Sequence, residues 1–365
     1  MQASGSPALM PIEHIDDWEK RLDRQDAFWE RAIIDRPVVN MTAPKTNPEY
    51  PPPPAKEYAS QRERWFDAEY IAECAVHSVR NTEYLGDALP NLNPNLGPDV
   101  FAAFFGAAME FGERTSWSIP ILHDWADAGE IRFSEDNAYW KALLKMTDTF
   151  LEIGRGHYYT GLTDFHPGGD AVAAFRDPLE LNIDMIENVD AVKDLLARVT
   201  DVFLHVYDTC VERLLAAGQA VTCWAGIVSR RRWHVPSNDF SCMVSNAMFR
   251  DVFLDSIERE CRHLEASIYH LDGPNSLQHL DSLLEIPELD AIQWVWGAGK
   301  GPVTRWLDVY KRCQAAGKGI QLKTGVEDLD TIMSELKPEG VWLRIHGVEN
   351  REHGEALLKR VSAWT

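Results

Sequence analysis

The chain has only six cysteines in 365 residues, and no two of them form a C-x-x-C pair. Cys74, Cys210, Cys223, Cys242, Cys261 and Cys313 are scattered, which argues against a disulfide framework and a zinc ribbon and points to a reducing compartment. Long apolar runs are missing too. No stretch approaches the roughly 20 apolar residues of a membrane span, and Met1 to Pro11 has neither the basic start nor the apolar core of a secretory signal. The sequence predicts a soluble, cytoplasmic protein. Basic residues are few: 36 Lys and Arg stand against 57 Asp and Glu, a formal net charge of −21. Such a chain is a poor ligand for nucleic acid or an anionic membrane. There is also no G-x-G-x-x-G opening a helix and no P-loop, so the usual dinucleotide and nucleotide signatures are absent.

What is present is an alternation of short apolar runs and amphipathic stretches. Residues 1–11 read as a disordered start and 12–365 as a single domain. The pattern from Ile12 to Ile34 is helical, and the β-prone run Val38 to Met41 follows, so this helix is placed to plug the base of a sheet. The run Pro51 to Pro54 cannot pair in a sheet and reads as a surface strap. Helices are predicted over 58–81, 100–105, 138–153, 188–217 and 246–264. Strands are predicted over 220–227, 267–270, 291–295, 319–323 and 340–345, each followed by a helical segment. Alternation of this kind means a parallel sheet. With earlier strands near 38, 115 and 158 the count is eight, which predicts a (β/α)8 TIM barrel, an α/β fold, with an N-terminal helical extension.

In such a barrel the catalytic groups sit at the carboxyl ends of the strands. The stretch Tyr269-His270-Leu271-Asp272-Gly273 stands out, because the period of two puts His270 and Asp272 on one side of a strand at its end. An imidazole beside a carboxylate can hold a metal, bind a polar group, move a proton or simply brace the turn. Asp164, Lys323 and His346 are further catalytic candidates at other strand ends. His166, Arg344, Trp294 and Trp296 are candidates for substrate binding. The triple Arg230, Arg231, Arg232 is a candidate clamp for substrate carboxylates, since guanidinium binds carboxylate bidentately. A divalent metal, zinc for instance, would take His270 and Asp272 as two of its ligands.

Several segments, in order, resemble the uroporphyrinogen decarboxylase superfamily, which includes corrinoid-dependent methyltransferases. Asp35 to Pro44 (DRPVVNMTAP), His157 to Leu181, Asp239 to Phe253 and Tyr269 to Gly273 (YHLDG) are similar to its early strand, its Asp-Gly region, a helix start and its His-x-Cys or His-x-Asp strand end. In the methyltransferase branch the zinc ligands are a His-x-Cys pair and a later Cys. Here the pair becomes His270 and Asp272, and Gln321 to Thr324 holds no cysteine. The resemblance implies a barrel enzyme that moves a methyl group from a small methylated substrate to a corrinoid or thiol acceptor. The corrinoid would sit on a separate protein, and a homodimer is a further expected partnership. A metal-independent decarboxylase or lyase, with His270 and Asp272 as acid and base, is the alternative, and a non-catalytic ligand-binding barrel a third.

Overall fold

The computed structural model describes residues 8–48 and 50–364. The centre is a seven-stranded, mostly parallel sheet. Its strands are β1 (Val38–Pro44), β2 (Thr82–Gly86), β3 (Trp233–His234), β4 (Ala266–Asp272), β5 (Ala291–Val295), β6 (Gly319–Gly325) and β7 (Val341–His346), in the spatial order β2-β1-β7-β6-β5-β4-β3. Only β2 is antiparallel, against β1. The parallel members from β3 to β7 are each followed by helical chain, as right-handed crossovers require. Their apolar residues are buried on both faces, the usual pattern when helices cover a parallel sheet.

The eight-strand closure expected from the sequence is not realised as one continuous hydrogen-bonded sheet. Two short pairs stand beside the main one, parallel Asn91–Leu92 with Tyr159–Thr160 and antiparallel Val221–Thr222 with Val228–Ser229. They are linked by the Leu162 amide donating to Thr222 (2.8 Å). The run near 115 is not a strand of this assembly. Met109–Phe111 and Ser116–Ser118 form an antiparallel hairpin, which a turn as short as Gly112 to Thr115 dictates.

The helices follow the predicted spans with local breaks. The stretch 58–81 divides into Gln61–Phe66 and Ala68–Arg80, because the Asp67 carboxylate caps the second helix by accepting from the Tyr70 amide. The stretch 246–264 continues through a π turn, Phe249–Phe253, which stacks Phe249 on His279 (4.3 Å between centroids). The helix Val189–Ala216 runs 28 residues, about 42 Å, and buries one stripe that includes Phe203 and Tyr207. The Pro51–Pro54 run has no regular structure and lies beside Val76 and Ile153 of two helices.

The first helix, α1 (Trp18–Trp29), seals one end of the sheet. Gln25 accepts from the Val228 amide and donates to the Asp87 carbonyl (both 2.8 Å), and Trp29 packs on Trp233 while donating to Ser229 (3.1 Å). Asp87, fully buried, is held by Arg24 and Arg36 and accepts from the Val39 amide, which fixes where β1 begins. Residues 1–7 of the expected disordered start lie outside the described residues. Met10 is buried, with its amide on Gly218 (2.7 Å) and its carbonyl accepting from the Tyr159 hydroxyl (3.0 Å).

Candidate functional site

The parity of β4 sends Ile268, His270 and Asp272 to the inside of the sheet, and Tyr269 and Leu271 outward into the helical layer. The chain after β3 runs alongside. Trp233 pairs with Ala266 and His234 with Ser267, and in the same parallel register Ser237 bridges to His270. Two residues further on, that register sets Asp239 level with Asp272. Asp239 opens a short 3-10 turn (Asp239–Met243), and Asp170 holds this turn in place. One Asp170 oxygen accepts from the Asp239 amide (3.0 Å), the other from the Phe240 amide (2.9 Å). The approach is close because residue 169 is glycine: a Cβ there would lie 2.6 Å from the Asn238 side chain.

Asp239, His270 and Asp272 each present one ligand atom, and these lie within 4.8 Å of one another. The trio His166, Asp170 and Asp239 meets the same distance, but its chemistry is different. His166 sits between two carboxylates, Nε2 3.3 Å from Asp164 and Nδ1 3.5 Å from Asp170. Burial would lower its pKa, yet the bonds to both carboxylates outweigh this and hold it well above the usual value. Both ring nitrogens of His166 thus face carboxylates, which favours its charged form, and Asp170 is spent on two amides besides. Burial, and next the Asp170 charge, push Asp239 up to about 6, and its Oδ1 has no partner among the described residues. A divalent cation beside Asp239 would favour its charged form against the burial and the Asp170 charge that oppose it. One imidazole and two carboxylates suit a borderline cation such as Zn²⁺.

The orientation of His270 is set by a relay across three strands. Its Nδ1 lies 2.5 Å from Gln293 Oε1 on β5. Gln293 Nε2 donates to Gln321 Oε1 on β6, and Gln321 Nε2 donates to the Ala225 carbonyl (2.9 Å). A carbonyl can only accept, so the direction of every bond in the chain is fixed from that end. His270 Nδ1 must donate, which leaves the Nε2 lone pair for a metal or a proton. Trp224 meets the imidazole edge-on at 5.1 Å.

The remaining candidates divide. Lys323, Arg344 and His346 stand together at the ends of β6 and β7, lining a cavity of 510 Å³ beside the carboxylate cluster rather than within it. Arg230, Arg231 and Arg232 are not at this end. Arg230 bonds Asp26 (2.6 Å), Arg231 pairs with Glu30 and Arg232 with Asp208, so the triple arginine straps the chain to α1 and the long helix instead of clamping a ligand. Trp294 is buried on the outer face of β5 against Trp306 (5.2 Å), and Trp296 packs half-buried at the loop after it, above Gly301. Asp239 and the two glutamines were not foreseen. Glu260, buried beneath Gly168 with Oε2 unpartnered, is pushed up to about 8 by burial and then by Asp170.

The architecture matches a methyltransferase from Methanosarcina mazei over 94% of this chain and 98% of that one, with a TM-score of 0.60 and 13% identity. The two proteins share a fold. No protein-family model matches the sequence, and no curated protein matches it. Among the described residues no helix is long and apolar enough to cross a membrane.

Proposed function

We propose that this chain is a methyltransferase that takes a methyl group from a small methylated donor and passes it to a corrinoid on a separate protein or to a thiol. The observation that carries this reading is the convergence of Asp239, His270 and Asp272 at the mouth of a fold shared with a methyltransferase. These three residues would hold one divalent cation, zinc being the first candidate. Bound there, the cation supplies Lewis acidity to the heteroatom that carries or receives the methyl group. The protein does the rest. The Gln293–Gln321 relay holds His270 by its Nδ1–H and leaves Nε2 as the ligand atom. Asp170 fixes the turn that carries Asp239, and His166 lies between the Asp164 and Asp170 carboxylates. Trp224 packs against the imidazole edge.

The carboxy-lyase reading relied in part on the triple-arginine clamp, and those guanidinium groups are paired elsewhere. The test is metal content by plasma mass spectrometry on protein purified without chelator, with wild type beside His270→Ala, followed by methyl transfer from methylated amines, alcohols and thiols to free cobalamin chemically reduced to its nucleophilic Co(I) form. About one cation per wild-type chain and a clear loss in the variant are expected. A metal-free wild type, or a variant that keeps its metal, would overturn the assignment.

A further inference from the structure

The cavity beside the carboxylate cluster has an unusual lining for this chain. It holds Lys323, Arg344 and His346, with Asn40, Asn91 and Tyr84, and no Asp or Glu, although acids outnumber Lys and Arg 57 to 36. Elsewhere the guanidinium groups are largely taken: Arg24, Arg36, Arg176, Arg259 and Arg360 all meet a carboxylate. Lys323, Arg344 and His346 are exposed and have no ion-pair partner among the described residues. The sheet register places them together. Lys323 and Arg344 are Cα partners across β6 and β7, Arg344 is the partner of Asn40 across β7 and β1, and His346 follows Arg344 on the same face of β7. On that inner face Lys323 stands two residues above Gln321, the last side chain of the relay.

Three unspent donors of positive or neutral charge around one acid-free cavity are arranged to receive terminal oxygens. We propose that this cavity seats an oxyanion group of the substrate, a carboxylate, sulfonate or phosphate. Arg344 donates as a fork, Lys323 acts as a point charge, and His346 adds an N–H donor. This deepens the methyl-transfer reading, because it gives the donor or thiol a second end. Asp272 on β4 and Lys323 on β6 are two strands apart, about 10 Å along the sheet. A short bifunctional molecule therefore has its reacting heteroatom at the carboxylate wall and its anionic end at the cationic wall. The separation of charge across the mouth sets its orientation.

The test measures binding and is independent of turnover. Isothermal titration calorimetry of the wild-type chain with acetate, methanesulfonate and inorganic phosphate, each at constant ionic strength, separates the three oxyanion types. Saturable binding of at least one is expected. Arg344→Gln and Lys323→Gln should each weaken it tenfold or more, while Arg344→Lys retains part and Arg230→Gln, on the strap to α1, leaves it unchanged. Lys323 and Arg344 are exposed, and circular dichroism with thermal melting checks that the variants fold. The absence of saturable binding to all three anions, or binding that Arg344→Gln and Lys323→Gln leave within twofold, would overturn the proposal. Metal content is read on the same samples. Metal present with no anion binding sinks the seat alone, and anion binding without metal sinks the metal assignment alone.

Discussion

Replacing Gln321 by leucine breaks the relay at its determining link. The side chain is buried, accepts from Gln293 and donates to the Ala225 carbonyl. Leucine keeps the bulk but removes both functions. Gln293 then has no partner to fix which of its amide atoms faces His270, so the imidazole can present either Nδ1 or Nε2 as its acceptor. Loss of an outer-shell partner of a metal-bound histidine typically costs 10- to 100-fold in metal affinity, about 1.4–2.7 kcal/mol. Leaving the Ala225 carbonyl and the Gln293 amide unpaired costs fold stability as well, on the order of 1–3 kcal/mol. Zinc affinity by competition with a chromophoric chelator, together with a denaturant melt of the metal-free chain, separates the two effects. Gln293→Glu separates the two links: one carboxylate oxygen still accepts from Nδ1, so His270 keeps its orientation and zinc affinity is held, while the other meets Gln321 Oε1 acceptor to acceptor and lowers the stability of the metal-free chain. A folded Gln321→Leu chain that binds zinc within twofold of wild type would refute the relay.

Two further outcomes test the surroundings of the site. Asp170→Ala removes the acceptor for the Asp239 and Phe240 amides and one partner of His166. It should cost about 2–4 kcal/mol of stability and weaken metal binding, read as a lower denaturant midpoint and a lower metal content; an unchanged midpoint would mean that the turn holds without it. Glu260, with its pKa pushed up from 4.5 to about 8 by burial, is neutral in the folded chain and ionised in the unfolded one between those values. Its contribution is fully present below pH 4.5 and is lost as pH rises through about 8, on the order of a few kcal/mol. Glu260→Gln should therefore melt less steeply with rising pH than wild type and be the more stable form at pH 8.5. Parallel melting profiles from pH 5 to 9 would contradict this.

Strand alternation made His270 and Asp272 legible, since two residues apart on one strand is a statement about one face. The same alternation speaks against Trp294. Once Gln293 faces inward beside His270, its neighbour must face out, but that needs the β4–β5 register, which no local pattern carries. Asp239 was hidden because it sits on a 3-10 turn, and the chain beside β4 becomes its neighbour only through the Ser237–His270 bridge. The arginine triple was misplaced for a related reason. Charge density marks a surface but not which end of the sheet it occupies, and the acids that take up these arginines lie about 200 residues away on α1 and 24 residues away on the long helix. The β/α alternation of the second half was readable as a parallel sheet. The first half, with hairpins and two-residue strands, left no period long enough to count.

The loop from Cys223 to Gly226 belongs to two neighbourhoods at once. The Ala225 carbonyl terminates the relay that orients His270, and Gly226 lines the cationic cavity, where its carbonyl is 3.4 Å from the Asn40 amide nitrogen. An occupant of the cavity that displaces Gly226 displaces the acceptor on which the imidazole tautomer depends. A cation and an anion bound as proposed would therefore be coupled through these four residues, and each would change the other's affinity by the same factor.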